Sequence, residues 1–422
     1  MKFRKILIGS LITASFLSLS IGFKEKFTHF NAKAEEFSAF DGVDEEDFIE
    51  NDDLFSSTTT TSTNFPLKLS AKSAFSMEYD TETVIYSHNE NERLPIASMC
   101  KIMTLLLCFE EIENGNLSLE EEISVSERAA SMGGSQVFLE ANAKYQVKEL
   151  LKSIAVCSAN DSCVAMAERI SGDELIFTDK MNEKAKQLGA TDTLFANCTG
   201  LPKEPQYSTA KDVAKMLKEL LKYDKYYEIG QVWMDTFKHP KGRVTEISNT
   251  NKLVKFYEGC DGGKTGFTNQ AGYCLAATAK RNNLRIISVV IGEENSKTRF
   301  NDVKTTFDYA FANYSMKNVV DCNNPLEEKA VISGAKQKEI SIKPSRNSNV
   351  FVKRGDKAEY TIETRIYNNL KAPLDVGETL GELVVFKDGV EIDRLSLVAN
   401  ESAQRANFFD KFKDIAKNWL LK

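Results

Sequence analysis

The sequence predicts an α+β protein: an antiparallel sheet with helices, then a small all-β unit, then a C-terminal amphipathic helix. Three observations carry this reading. Segments alternating at period 2 lie near residues 74–86 and apolar, Val/Ile-rich strand runs near 273–291, with 3.6-period apolar segments between them. After about residue 322 the period changes to 2, and over 401–422 it returns to 3.6. Strands at both ends of the larger unit, with helices between, place the terminal strands side by side in one sheet.

The chain opens with Lys2, Arg4 and Lys5, followed by an apolar run from Ile6 to Phe23. Ala32-Lys33-Ala34 then matches the small-x-small cleavage pattern, so 1–34 is read as a signal peptide and Glu35 as the mature start. An uncleaved N-terminal anchor is the alternative, and either places the working domain outside the cytoplasm. From Glu35 to Asp53, ten of nineteen residues are acidic, and a Ser/Thr run follows to Thr63. Such a stretch cannot bury enough apolar surface to fold, so 35–64 is read as a disordered tether.

The larger unit spans 65–320. Ala74 to Tyr79 and Thr83 to Tyr86 alternate around Asp80-Thr-Glu, as a hairpin does. A helix through Ser98, Lys101, Leu105, Leu106, Leu107 and Phe109 is apolar on nearly every side and belongs in the interior. Tyr145 to Val156 is amphipathic, Ser158-Ala159-Asn160 breaks it, and Asp161 is placed to cap a helix from Ser162 to Ile170. Helices follow over Phe177 to Leu188 and Ala210 to Leu221. Strands run from Tyr257 to Gly266, Tyr273 to Ala279 and Leu284 to Ile291, and a helix from Thr298 to Tyr314 closes the unit.

The second unit, 321–400, shows short strands at Glu339 to Ile342, Asn349 to Val352, Ala358 to Ile366, Leu383 to Phe386 and Val390 to Val398. Asp388-Gly389 is a hairpin turn between the last two. In the tail, 401–422, Phe408, Phe409, Phe412, Ile415, Trp419 and Leu420 form one apolar face with lysines elsewhere. It is too charged to span a bilayer and suits a membrane interface, with docking on the β-unit or a partner as the alternative.

A net charge of −7 with no basic stripe argues against nucleic acid. Five of the eight cysteines (Cys100, Cys108, Cys157, Cys163, Cys274) fall in apolar runs, where a free thiol behaves as a small hydrophobe. They form no Cys-x-x-Cys pair, so neither zinc nor a disulfide framework is expected. His29, His88 and His239 are scattered, which leaves a Ser-His-Asp triad almost without candidates and favours a lysine as base.

Ser98 and Lys101 supply such a pair. At i and i+3 they share one helix face, and burial among leucines favours the neutral amine a base requires. Lys264-Thr265-Gly266 opens a strand, where glycine permits close backbone approach of a ligand. Each motif alone is weak. In this order, Ser98-x-x-Lys101, Ser158-x-Asn160 and Lys264-Thr265-Gly266 resemble the signature of the penicillin-recognising serine enzymes.

The flanks narrow the resemblance. Pro95-Ile-Ala-Ser98-Met-Cys-Lys101-Ile-Met-Thr104, Asp261-Gly-Gly-Lys264-Thr-Gly-Phe-Thr268, Thr199-Gly-Leu-Pro202 and Ser208-Thr-Ala-Lys-Asp212 are similar to the D-alanyl-D-alanine carboxypeptidases. These are the low-molecular-mass penicillin-binding proteins of serine peptidase family S11. The likeness runs from about Phe65 to Tyr314, and the β-unit and tail fit the family's C-terminal parts. It implies a β-lactamase/transpeptidase-like catalytic domain, no metal or organic cofactor, a peptidoglycan stem peptide ending in D-Ala-D-Ala as substrate, and β-lactams as inhibitors.

The resemblance also implies roles. Ser98 is the nucleophile and Lys101 its base. Ser158 relays a proton, and Asn160 holds Lys101 and the substrate amide. Lys264 adds positive potential, Thr265 and Arg299 bind the terminal carboxylate, Gly266 lies in the substrate-binding strand, and the N–H groups of Ser98 and Phe267 form the oxyanion hole. Gln206 and Ala159 replace residues common in relatives without touching an essential role. Two alternatives stand beside this reading: a non-catalytic wall-binding homologue, and a β-lactamase. The second is disfavoured because no Glu-x-x-Leu-Asn loop follows Asn160.

Overall fold

The computed structural model describes residues 67–410. The expected signal peptide, the tether and the tail beyond Asp410 lie outside the described residues.

Strands β1 (Ser73–Glu78) and β2 (Val84–His88) form the expected hairpin. A 3₁₀ turn over Ala97–Cys100 runs into α1 (Lys101–Glu113). Next come β3 (Glu122–Ser124), α2 (Glu127–Ala130), β4 (Lys144–Gln146), α3 (Val147–Cys157), α4 (Asn160–Ser171) and α5 (Glu174–Gln187). They are followed by α6 (Ala210–Leu220), α7 (Asp224–Gly230), the hairpin β5 (Met234–Lys238) with β6 (Val244–Ser248), and α8 (Leu253–Phe256). The unit closes with β7 (Cys260–Thr268), β8 (Gly272–Arg281), β9 (Leu284–Glu293) and α9 (Ser296–Asn313).

The main sheet is antiparallel in the order β2-β1-β9-β8-β7, so the two ends of the unit do meet: β1 pairs with β9, with Phe75 opposite Val289. β9 is buried along its whole length because helices cover both faces of the sheet, which is why it reads Ile-Ile-Ser-Val-Val-Ile rather than alternating. On one face α1 is the central helix, with Ile102 to Phe109 all buried. On the other, α9 presents Phe300, Val303, Phe307, Ala310 and Phe311 at helical spacing. Burying each large apolar side chain there contributes about 1.5–3 kcal/mol.

The second unit contains β10 (Tyr314–Val320), β11 (Lys329–Val331), β12 (Glu339–Pro344), β13 (Ser348–Lys353), β14 (Tyr360–Ile366), β15 (Thr379–Lys387) and β16 (Val390–Ala399). Five of these form an antiparallel sheet, β11-β12-β16-β15-β14, and β10 pairs with β13. The β15–β16 turn uses Asp388 and Gly389 at φ of 49° and 81°, as two-residue hairpins require.

Three local expectations change. The pairing of β10 puts residues 314–320 with the β-unit, ahead of the boundary expected at 320. Tyr314 leaves the helix and its ring stacks on Phe351 at 4.8 Å. Asp161 does not cap α4. It lies inside the first turn, where its carboxylate accepts from the backbone N–H groups of Val137, Leu139 and Ser162. The β5–β6 hairpin is unexpected, because its solvent-facing Met234 and Val244 give no core pattern to read.

None of the eight cysteines is paired in a disulfide, and six of them are buried.

Candidate active site

Ser98 sits in the 3₁₀ turn ahead of α1 rather than in the α-helix itself. The turn is tight: Ala97 adopts φ of 46°, costly for a residue with a Cβ. Ser98 is half-buried, while Met99, Cys100 and Lys101 beneath it are fully buried. Lys101 Nζ donates to Ser98 Oγ at 2.8 Å and also to the Thr199 carbonyl. That carbonyl is fixed by an Asx turn in which Asn197 Oδ1 accepts from the N–H groups of Thr199 and Gly200. Gly200 has φ of 81°, and a Cβ there would lie 2.1 Å from the Ala97 carbonyl oxygen, so only glycine lets this turn press against the serine turn.

The facing wall is the junction of α3 and α4. Ser158 ends α3 in the left-handed region, at φ of 66°, and Asn160 starts α4. Both side chains are buried, and Ser158 Oγ and Asn160 Oδ1 have no hydrogen-bond partner. Buried polar atoms without a protein partner are exceptional in a folded protein. Asn160 is fixed from behind: its Nδ2 donates to Gly133 O at 2.8 Å and its backbone N–H to Ser135 O at 2.7 Å. The expected Asn160–Lys101 hydrogen bond is replaced by the one from Lys101 to Thr199.

β7 forms the third side. A Cβ on Gly266 would come within 2.5 Å of Ile96 O and 3.3 Å of Met99 N, so this strand touches the serine turn and tolerates no side chain there. Thr265 Oγ1 donates to Thr250 Oγ1 at 2.8 Å, and Thr250 N–H is tied to Val156 O near the end of α3. Lys264 is buried, with Nζ donating to Thr265 O at 3.1 Å. Desolvation first, then the charge of Lys101, lower its pKa to about 7. The ring of Phe267 packs on Tyr273, 4.3 Å between centroids.

Arg299 is 4% exposed, with Nη1 3.4 Å from Gly266 O and 3.5 Å from Cys274 O, and Nη2 on Ser296 Oγ. Its guanidinium lies beside the β7–β8 backbone and adds positive potential next to Gly266.

Sequence reasoning assigned no role to Thr199, Gly133 or Thr250. Asn197-x-Thr-Gly200, an Asx-turn pattern, is the signal that could have drawn attention to Thr199. A polar cleft of about 970 Å³ between α3 and the β5–β6 hairpin includes none of these residues, so the site is defined by its chemistry rather than by volume.

Ser98 Oγ with the Lys101 amine 2.8 Å from it is an arrangement that can support serine acyl transfer. The chain belongs to the D-alanyl-D-alanine carboxypeptidase family: the peptidase S11 family model matches residues 58–295, and the C-terminal domain of penicillin-binding protein 5 matches 314–405. It is 43% identical over 350 residues to the D-alanyl-D-alanine carboxypeptidase DacF of Bacillus subtilis, covering 83% of this chain and 90% of that protein. Against DacA of Escherichia coli it is 27% identical over 361 residues, 83% of this chain and 88% of that one. The crystal structure of the carboxypeptidase DacD from Francisella tularensis superposes with a TM-score of 0.62 at 28% identity, covering 85% of this chain and 100% of that chain. The family expected from the three motifs is the family found.

Proposed function

We propose that this chain is a serine-type D-Ala-D-Ala carboxypeptidase acting on peptidoglycan stem peptides through an acyl-enzyme on Ser98. The supporting observation is the 2.8 Å contact between Lys101 Nζ and Ser98 Oγ inside a buried turn. In the reaction, Ser98 Oγ attacks the carbonyl between the two terminal D-alanines and its proton passes to Lys101. The oxyanion is met by the N–H groups of Ser98 and Phe267, each such donor contributing a few kcal/mol. Ser158 returns a proton to the departing amine, and D-alanine leaves. Water then hydrolyses the Ser98 ester and frees the shortened peptide. Lys264 and Thr265 bind the terminal carboxylate, Arg299 supports Gly266 from behind, and Asn160 completes its Oδ1 on the substrate amide. A β-lactam acylates Ser98 in the same way, but its leaving nitrogen stays tethered.

The test is incubation of the purified protein with a peptide ending in D-Ala-D-Ala and, separately, with a fluorescent penicillin. Release of one D-alanine per peptide together with labelling is expected. Labelling without release would instead support the non-catalytic binder.

The working side is the cell wall, reached through the 1–34 leader. Among the described residues no helix is long and apolar enough to cross a membrane. Phe408 and Phe409, 76% and 80% exposed, support a tail that lies on the membrane surface. Deleting 403–422 is expected to release a chain whose leader has been cleaved from membranes. Unchanged association would contradict that role.

A further inference from the structure

Tyr226, on α7, is fully buried between two catalytic elements. Its ring meets Phe109 of α1 edge-on, with centroids 6.2 Å apart. Its hydroxyl accepts from the N–H of Gly263, immediately before Lys264, at 2.9 Å. Glycines make room for it. A Cβ on Gly262 would lie 2.9 Å from Tyr226 Cε1, and one on Gly230, a helical turn along α7, would lie 3.0 Å from Cζ.

The strand needs holding at this point. Pairing of β7 with β8 slips between Cys260 and Gly262, and Gly263 takes φ of 129° with a would-be Cβ 2.2 Å from Ala276 O. Such a bulge re-aims the side chains that follow it. Side chains reinforce the ladder there: Tyr226 on Gly263 N–H, Asn251 Nδ2 on Gly262 O at 3.2 Å, and Arg285 with two contacts to Asp261, at 2.8 and 2.7 Å.

We propose that Tyr226 is a positioning residue for carboxylate recognition: its hydroxyl holds Gly263, just past the bulge at Asp261, so that Lys264 is aimed, buried, at the substrate's terminal carboxylate. The proposal rests on the reading of Lys264 and Thr265 as the carboxylate site. Nothing in it requires Tyr226 to touch substrate.

The experiment compares Tyr226→Phe with Tyr257→Phe. Tyr257 is also a buried tyrosine, but its hydroxyl donates to Asp308 on α9 at 2.8 Å and makes no bond to β7. Tyr226→Phe leaves the Gly263 N–H unpaired, and KM for a D-Ala-D-Ala peptide is expected to rise about tenfold with a smaller change in kcat. Loosening the bulge also admits water to Lys264, so the alkaline limb of kcat/KM moves to higher pH. Tyr257→Phe shifts neither. Gly262→Ala, which keeps the hydroxyl and displaces the ring, reproduces the KM rise and carries the test if Tyr226→Phe does not fold. An unchanged KM and limb in Tyr226→Phe, or an equal shift in Tyr257→Phe, overturns the proposal. A wild-type protein that neither releases D-alanine nor labels with saturating penicillin would instead overturn the active-site reading beneath it.

Discussion

Lys101 Nζ donates a hydrogen bond to the carbonyl of Thr199, 98 positions further along the chain. The bond orients the base. With one N–H committed to a fixed carbonyl, Nζ is held against Ser98 Oγ, to which it donates at 2.8 Å. The sequence pair alone conveys proximity, and the Thr199 turn supplies direction.

Lys101→Ala is therefore expected to abolish penicillin labelling while the domain stays folded. Truncation leaves the Thr199 carbonyl unpaired in the interior, a cost of about 1–3 kcal/mol that a domain of this size tolerates. Labelling kinetics beside a thermal melt check both parts. A folded variant that labels at the normal rate would remove Lys101 from its role.

Ser158 carries the opposite signature. Its buried Oγ has no protein partner, so Ser158→Ala removes an unsatisfied polar atom at no loss of hydrogen bonding. The melting temperature is expected to stay the same or rise, while D-alanine release falls by about 10²-fold or more, as for loss of a proton relay. A destabilised but active variant would show that the hydroxyl serves the fold.

Lys264 gives the pH dependence. With its pKa lowered to about 7, the ammonium that attracts a carboxylate is present below that pH and is lost as pH rises through it. The alkaline limb of kcat/KM is thus expected near pH 7, and Lys264→Arg, which keeps its charge, moves the limb upward. Stability runs the other way. Between about 7 and the ordinary lysine range the unfolded chain binds the extra proton, so the folded state gains stability as pH rises, and Lys264→Met removes that slope. Activity profiles and melts at stepped pH separate the two effects.

The sheet and central helix were legible in the sequence because their buried cores are apolar runs: Ile286, Ile287, Val289, Val290 and Ile291 in β9, and Ile102 to Phe109 in α1. The three motifs were legible because each rests on side-chain types, and the fold brings Ser98, Lys101, Ser158, Asn160 and the Lys264 strand together around one turn. The supports were not legible. Thr199 acts through its carbonyl, Gly133 through its carbonyl, and Gly200 through the absence of a Cβ against the serine turn. None of these leaves a periodic trace. Arg299 was named through the family resemblance alone, and its place on α9 sets the guanidinium beside the β7–β8 backbone. The β10 boundary slipped because the helical pattern runs out gradually into Tyr314.

The most direct test of the account is to map the acylated residue and silence it. After reaction with benzylpenicillin, peptide mass mapping is expected to find one penicilloyl adduct, on the peptide containing Ser98, and Ser98→Ala is expected to lose both the adduct and D-alanine release from a D-Ala-D-Ala peptide. An adduct on another residue, or a Ser98→Ala protein that still releases D-alanine at the wild-type rate, would contradict it.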